Sequence, residues 1–447
     1  MSNHAAKAWL GTFATSSFIL VCHTATGILT ARLLLPEGRG ALAAILFWPQ
    51  IVANMGLMSL NTAITRRASQ PDVDVRRVAV TGLYLSLGLA LITTVVAVLL
   101  LPLMLGEERS QWLAITRLYL IAFLPLNFSS SILIAVRHAE QKFTQFNVLR
   151  SLQALIYLVG LIVLWLSQGV TVEAVLWFNW LGTAVVAVVQ WVEGRSLLMT
   201  RPSLQEARAL MVMASRFKVA SLAATVSYES DRLVIVTVLD TATIGLYAVA
   251  FTAATSGLSV LTSSFQSILL PKVARQTAVT DQRQLLGRGL RYAMLFSVVM
   301  GGFLILVIPL LIPLLFGTEF SAAIVPAMIL VVAHLPKVMR HIIVNSLYGL
   351  NQPRPITLSS ILTSVCFAAI LLGQGMLLGR SPTLLTILIA LAIANTMELG
   401  YLLVHLNRSI NLTLKDWWGL TPATLRQVIA LTQTTLFQRW IQRKAQP

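Results

Sequence analysis

The segment 227-SYESDRLVIV-236 places three charged side chains inside a run that is otherwise apolar enough to cross a membrane. One charged residue at mid-membrane costs about 2.5–3.5 kcal/mol even on lenient insertion scales. Glu229 and Arg232 are three residues apart, so they can pair on one face of a helix. The pair would then be a neutral seam in the packing. The alternative is that Glu229, Asp231 and Arg232 line a water-filled path.

A second cluster carries Lys337, Arg340 and His341 within about two turns of another apolar run. Its cations have no obvious carboxylate on their own helix, so a polar cavity or a partner must balance them. We expect Glu229, Asp231 or Glu398 to supply that balance from across a cavity. An excess of positive charge there suits a phosphate-bearing ligand.

The elements that position these residues are apolar runs long enough to cross a hydrocarbon core of about 30 Å. The chain has 447 residues, of which 57% are hydrophobic and 11% charged, against about 25% charged in soluble domains. This composition predicts an all-α polytopic membrane protein. The twelve predicted transmembrane helices cover 9–31, 41–64, 79–102, 115–136, 147–167, 174–194, 213–238, 243–268, 289–315, 321–347, 355–378 and 383–406. Polar stripes along the first two spans include His23 and Asn61.

The loops between these spans alternate in basic charge, and this pattern orients the chain. Clusters of Lys and Arg fall in the loops after spans 2, 4, 6 and 8. By the positive-inside rule, both termini are therefore predicted to be cytoplasmic. The net charge of +17 follows from the same rule and does not indicate nucleic acid. Contact with membrane lipid headgroups is a secondary role for these loops.

The two halves of the chain repeat each other. At an offset of 211 residues, Pro102, Gly106, Glu108, Pro125 and Gln141 match Pro313, Gly317, Glu319, Pro336 and Gln352. At an offset of 205 residues, Gly40 matches Gly245. We predict an N-terminal six-helix bundle (1–200), a cytoplasmic connection (201–212), a C-terminal six-helix bundle (213–406) and a basic tail (407–447). Two facing bundles around a central site are a transporter plan.

Several motifs of enzymes and pumps are absent from the sequence. There is no phosphate-binding Walker A loop, no His/Cys cluster with zinc spacing and no nucleophile elbow. We therefore expect no enzyme activity, no cofactor and no metal. Any driving force would come from an ion gradient, the membrane potential or removal of the product.

Three stretches resemble the oligosaccharide flippases of bacterial surface polysaccharide synthesis. They are 31-ARLLLPEGRGALAAI-45, 231-DRLVIVTVLDTATIGLYAVAF-251 and 314-LLFGTEFSAA-323. These Wzx-type transporters belong to the MOP superfamily and are relatives of the MATE drug exporters. The chain departs from the family pattern at Leu35, where Gly is usual, and at Arg39, where an aromatic residue is common.

The resemblance implies a flippase for a polyprenyl-diphosphate-linked oligosaccharide in the bacterial inner membrane, acting by alternating access in O-antigen, capsule or exopolysaccharide assembly. Its implied substrate-binding residues are Arg232, Lys337, Arg340, His341, His23 and Asn61. Its implied sites for a coupling H⁺ or Na⁺ are Glu229, Asp231 and Glu398. Polymerases or glycosyltransferases of the same pathway are implied partners. The alternative is a MATE-like ion-coupled multidrug exporter, which predicts an acidic and aromatic cavity.

The tail 407–447 mixes aromatic and aliphatic residues with Arg and Lys, among them Trp417, Trp418 and Trp440. This pattern is typical of an amphipathic helix that lies on the membrane surface. Docking of a glycosyltransferase or polymerase is the alternative role for this segment.

Overall fold

Helices make up nearly all of the backbone that the structure describes. The structure is a computed structural model, and it describes residues 3–70, 72–195, 200–273, 279–349, 352–379 and 381–418. Within these ranges there is no β-strand. The helices are α1 (Asn3–Gly56), α2 (Leu60–Ala68), α3 (Val75–Leu105), α4 (Leu113–Ala139), α5 (Phe143–Leu166), α6 (Val172–Glu193), α7 (Leu204–Val238), α8 (Thr241–Val273), α9 (Val279–Leu311), α10 (Ile324–Gly349), α11 (Pro353–Leu378), α12 (Leu384–Ile410) and α13 (Leu414–Trp417).

The apolar lengths of these helices confirm the prediction of an all-α polytopic membrane protein. Ten helices of the described chain are long and apolar enough to cross a membrane, and the bent helix α7 makes eleven. The first predicted span and most of the second lie together in α1, whose apolar part runs from Ala14 to Gly56, and the second span ends in α2. Counting the two arms of α1 separately would give the predicted twelve. That number and the cytoplasmic termini stay predictions.

Helix α1 changes direction at Leu35, the residue before Pro36. Leu35 has φ 59° and ψ 178°, which is not a helical conformation. Pro36 supplies no backbone N–H and disfavours a helical conformation at the residue before it. The two arms of α1 therefore meet at this bend, and both contribute to the cavity described below.

Helix α7 also has two arms, which are bent by 48° between Leu204–Arg216 and Lys218–Val238. The first arm contains most of the predicted 201–212 connection. It is attached to the N-terminal part of the chain by Arg67, whose Nε and Nη2 lie 3.0 and 2.8 Å from the two carboxylate oxygens of Glu206. The backbone N–H of Ser203 also donates to Thr81 Oγ1 at 3.0 Å.

The internal repeat has a direct counterpart in the backbone at Gly106 and Gly317. Both have positive φ, at 72° and 109°, a conformation that favours glycine. Each donates its N–H to the carbonyl of the proline four residues earlier, at 3.2 Å in both cases. Each is followed by a short 3₁₀ helix. The matching glycines thus end equivalent helices, α3 in the first half and the π-helical extension of α9 in the second.

The predicted amphipathic helix of the tail lies largely outside the described residues, which end at Trp418. The beginning of the tail packs on α9 through Asp416. Its carboxylate accepts from the guanidinium of Arg283 at 2.8 and 3.0 Å, and its carbonyl accepts from Arg291 at 2.8 Å. Trp417 beside it is buried, and Trp418 is exposed.

Candidate functional site

A cavity of about 650 Å³ lies between α1, α7 and α8. Both arms of α1 line one side of it, and residues of α7 and α8 line the other. The volume falls within the range of about 300–1,000 Å³ that is common for ligand sites. The ionisable side chains of acidic and basic residues that line it are His23, Arg39, Glu229 and Arg232.

Arg232 is held in the cavity wall by two neighbours. Its Nη1 lies 3.3 Å from Glu229 Oε2, and its guanidinium carbon lies 4.1 Å from the centre of the Phe251 ring. The helical pair predicted from the spacing of Glu229 and Arg232 is therefore present. It is not sealed in a packing seam, because both residues line the cavity. The side chain of Arg232 is 33% exposed there.

Arg39 is the second cation of the cavity, and sequence reasoning passed over it because it departs from the family pattern. Its Nε is buried and has no hydrogen-bond partner in the described chain. The helical spacing of the cavity-lining residues Arg39, Ala43, Phe47, Gln50 and Asn54 puts them on one face of α1. The available signal was a cation on the same face of a membrane helix as Gln50 and Asn54.

Asp231 is in a different environment from its neighbours Glu229 and Arg232. Only 1% of its surface is exposed, and it accepts a hydrogen bond from the Tyr247 hydroxyl at 2.6 Å. It also interacts electrostatically with Lys337, whose Nζ lies 5.1 Å from the centre of the Tyr228 ring. Asp231 does not line the large cavity. It balances charge behind the cavity wall.

Arg340 and Glu398 form a buried ion pair between α10 and α12. Arg340 Nε lies 2.6 Å from Glu398 Oε1, and the two side chains are 14% and 2% exposed. The hydroxyl of Ser359 donates to the same carboxylate oxygen at 3.1 Å. Arg340 also donates to Ser360 Oγ at 3.3 Å. Glu398 thus balances Arg340 directly inside the C-terminal half.

The structure brings only some of the predicted site residues together. His23, Glu229 and Arg232 share the large cavity, whereas Lys337, Arg340, His341 and Glu398 line a separate, small cavity with Ser227 and Asn395. Asn61 is exposed on α2, where its side-chain oxygen accepts from the Thr62 N–H at 2.8 Å. In the described chain, no group of three or more His, Cys, Asp or Glu residues is placed to hold a metal ion.

The family model for polysaccharide biosynthesis proteins matches residues 29–325, about two thirds of the chain. The chain belongs to the polysaccharide biosynthesis protein family. The matched range contains the bend and the second arm of α1, the bend of α7 and the whole large cavity except Leu20, His23 and Thr24. No curated protein matched the chain significantly in sequence.

Solved structures of the MOP superfamily share the fold of this family member. The lipid II flippase MurJ in an inward closed conformation has a TM-score of 0.71 at 11% identity, with 91% of this chain and 88% of MurJ covered. A multidrug resistance MATE transporter in an inward-facing conformation has a TM-score of 0.69 at 14% identity, with coverages of 88% and 94%. A MOP superfamily transporter from Pyrococcus furiosus has a TM-score of 0.63 at 14% identity, with coverages of 91% and 95%. The predicted MOP resemblance and MATE-like fold are confirmed.

Proposed function

We propose that this protein is a flippase that moves a polyprenyl-diphosphate-linked oligosaccharide across the bacterial inner membrane for surface polysaccharide assembly. The observation that carries the proposal is the pair Arg39 and Arg232 in one cavity between α1, α7 and α8. Family membership and the shared fold with a lipid flippase support the same function. The headgroup would cross through the cavity while the lipid tail stays in the bilayer.

The charge balance of the cavity favours an anionic ligand. Two guanidinium groups face one carboxylate among the lining residues. A guanidinium binds phosphate oxygens through two parallel hydrogen bonds, and it stays charged in a cavity of low polarity. A diphosphate carries a negative charge on each phosphate, so Arg39 and Arg232 could each take one. Lys337, Arg340 and His341 would contribute only in a conformation that opens the smaller cavity.

Glu229 is the best placed of the three predicted ion-coupling residues. It lines the cavity and holds Arg232, whereas Asp231 and Glu398 are buried with partners of their own. When a phosphate binds Arg232, Glu229 loses its cationic partner, and its affinity for H⁺ or Na⁺ rises. Asp231 and Glu398 would then stabilise the C-terminal half and not carry the coupling ion.

Transport of lipid-linked glycan can be tested in proteoliposomes that contain a fluorescent polyprenyl-diphosphate oligosaccharide. An impermeant glycosidase added outside cleaves only the glycan in the outer leaflet, unless the protein moves the lipid-linked glycan from the inner leaflet to the outer one. We expect complete cleavage with the wild type. Arg39→Gln and Arg232→Gln should each slow it by about tenfold or more, because a hydrogen bond to a charged group contributes about 1.5–3 kcal/mol.

Arg77→Gln is the matched control, because Arg77 is an exposed arginine outside the cavity, and it should transport at the wild-type rate. Wild-type transport by both cavity variants would remove the two arginines from the pathway. No transport of any lipid-linked glycan, together with protection of cells from ethidium, would favour the MATE-like exporter. Glu229 and the aromatic ring of Phe251 in the same cavity are the features that keep this alternative in view.

A further inference from the structure

A belt of neutral polar side chains lines the cavity beside its two arginines. The belt consists of Thr24, Gln50 and Asn54 on α1 and Thr252, Thr255 and Ser256 on α8. The two sides meet where Thr24 Oγ1 donates to Ser256 Oγ at 3.3 Å. Arg39 and Arg232 would hold the diphosphate, so the belt is available to the part of the substrate next to it.

The hydroxyl groups on α8 donate their hydrogen bonds to backbone carbonyls of their own helix. Thr252 donates to the Ala248 carbonyl at 2.8 Å, Thr255 to the Phe251 carbonyl at 2.7 Å, and Ser256 to the Thr252 carbonyl at 2.7 Å. Such back-bonding is common for Ser and Thr in helices. It leaves the oxygen lone pairs as the groups presented to a ligand. This side of the cavity therefore accepts hydrogen bonds more readily than it donates them.

The facing side of the belt can both donate and accept. Gln50 and Asn54 are four residues apart on α1, so they lie on the same face of the helix about one turn apart. Each amide offers two N–H donors and one oxygen acceptor. A sugar hydroxyl has the same double character, so it can donate to α8 and accept from α1 at once. A carboxylate only accepts, and it would meet lone pairs on α8.

We propose that the belt binds the sugars next to the diphosphate and selects neutral, hydroxyl-rich sugars against carboxylated ones. The proposal rests on the proposed flippase function. The charges of the cavity support it as well, because its two arginines would pair with the two phosphates of the diphosphate. No further arginine or lysine among the described lining residues remains for a carboxylate.

The selectivity is tested with two substrates that share the same polyprenyl diphosphate and first sugar. The second sugar is galactose in one and galacturonic acid in the other, and each is assayed in proteoliposomes with its own impermeant glycosidase. We expect the galactose form to cross at least about tenfold faster, the effect of one or two lost hydrogen bonds. Equal rates would overturn the selectivity and leave the flippase function standing. Failure of both substrates would overturn the flippase function itself and this inference with it.

Two variants place the effect on the belt. Thr252→Val combined with Thr255→Val keeps the side-chain shapes but removes two acceptors, so it should slow the galactose form about tenfold. It should slow the galacturonate form less, because the carboxylate has no proton to donate to these acceptors. Gln50→Arg adds a cation and should raise the rate of the galacturonate form. Unchanged selectivity in both variants, with normal expression and a monodisperse elution profile, would overturn the assignment.

Thr237→Val is the matched control for the threonine variants. Thr237 is exposed on α7, and its hydroxyl likewise donates to its own helix, at 2.8 Å from the Leu233 carbonyl. It does not line the cavity, so the same change should leave the rates of both substrates unaltered. A loss of galactose transport in this variant equal to that of the belt variants would show a general effect of losing helix hydroxyls and would contradict the proposal.

Discussion

Gly40 and Gly245 face each other where α1 and α8 cross, and each leaves room for a backbone carbonyl of the other helix. A Cβ on Gly40 would overlap the carbonyl oxygen of Thr241, and a Cβ on Gly245 would overlap that of Pro36. The two contacts are related by the same 205-residue offset that relates the glycines themselves. Small residues allow membrane helices to approach this closely. The crossing sits beside the cavity, so it fixes the position of Arg39.

Gly245→Ala should destabilise this crossing, because the new methyl group meets backbone atoms that no change of side-chain conformation can move. Overpacking of this kind costs about 1–3 kcal/mol, and backbone overlap belongs at the upper end. We expect a lower melting temperature of the purified protein in detergent. Gly88→Ala is the control, since a Cβ there has nothing within 4 Å, and it should be neutral or slightly stabilising. A wild-type melting temperature for Gly245→Ala would contradict the close approach.

The helices, the repeat and part of the site could be predicted from the sequence, because these features depend on local patterns. Apolar length located the spans. The matched positions Gly106 and Gly317 identified the repeat, and the spacing of Glu229 and Arg232 predicted their pair. The partner of Arg340 was harder to predict, because Glu229, Asp231 and Glu398 were all candidates. Only the packing of α10 on α12 selects Glu398.

Arg39 was missed for a related reason. Comparison with a family pattern marks a departure, but it does not show the direction in which the side chain points. That direction depends on the bend at Leu35, which turns the second arm of α1 toward α8. Sequence periodicity treated the two arms as separate spans and gave no angle between them.

Leu35→Gly should stabilise the protein, although it removes an apolar side chain. Leu35 has φ 59° and ψ 178°, a region that is nearly restricted to glycine and costs other residues about 1–3 kcal/mol. Its side chain is 51% exposed, so little packing is lost. The larger entropy of glycine in the unfolded chain offsets part of the gain, by about 0.5–1 kcal/mol. We expect a net gain of about 1 kcal/mol, measured as a higher melting temperature.

Leu99→Gly provides the comparison for this prediction. Leu99 is 71% exposed in the C-terminal part of the interior of α3, where glycine is less favourable than leucine by up to about 1 kcal/mol. The same substitution should therefore lower the melting temperature at Leu99 and raise it at Leu35. Destabilisation at both positions would show that Leu35 is not strained.

Glu398→Gln should destabilise the protein strongly, because it leaves the guanidinium of Arg340 without its carboxylate. Removing one partner of a buried ion pair costs about 3–5 kcal/mol. The double variant Arg340→Met with Glu398→Leu should recover most of that loss, because replacing both charges with apolar groups avoids a buried unpaired charge. Thermal unfolding of Arg340→Met, Glu398→Leu and the double variant measures the coupling.

An exposed pair sets the scale for this measurement. Arg77 and Asp74 are 4.0 Å apart, and more than half of each side chain is exposed. Arg77→Gln should change stability by less than about 1 kcal/mol, as is typical of surface pairs. If Glu398→Gln were equally mild while transport was lost, Glu398 would act in ion coupling and not in stability.

Asp240 caps the N-terminus of α8, and the stabilisation that it provides should depend on pH. Its Oδ1 accepts from the Thr243 N–H at 2.9 Å and its Oδ2 from the Thr243 hydroxyl at 2.6 Å. These hydrogen bonds, the hydroxyl bond first, lower the pKa of Asp240 below its usual value. A lowered folded-state pKa stabilises the protein fully above the unfolded-state pKa of about 3.9, and this contribution is lost as the pH falls through the folded-state value.

Asp240→Ala should therefore cost about 1 kcal/mol at pH 7, as for other helix caps, and much less near pH 2. Asp240→Asn keeps a capping oxygen that does not titrate, so its advantage over Asp240→Ala should be the same at both pH values. Melting temperatures of the three proteins between pH 7 and pH 2 measure the effect, and a wild-type advantage that persists unchanged at pH 2 would rule out the carboxylate as its source.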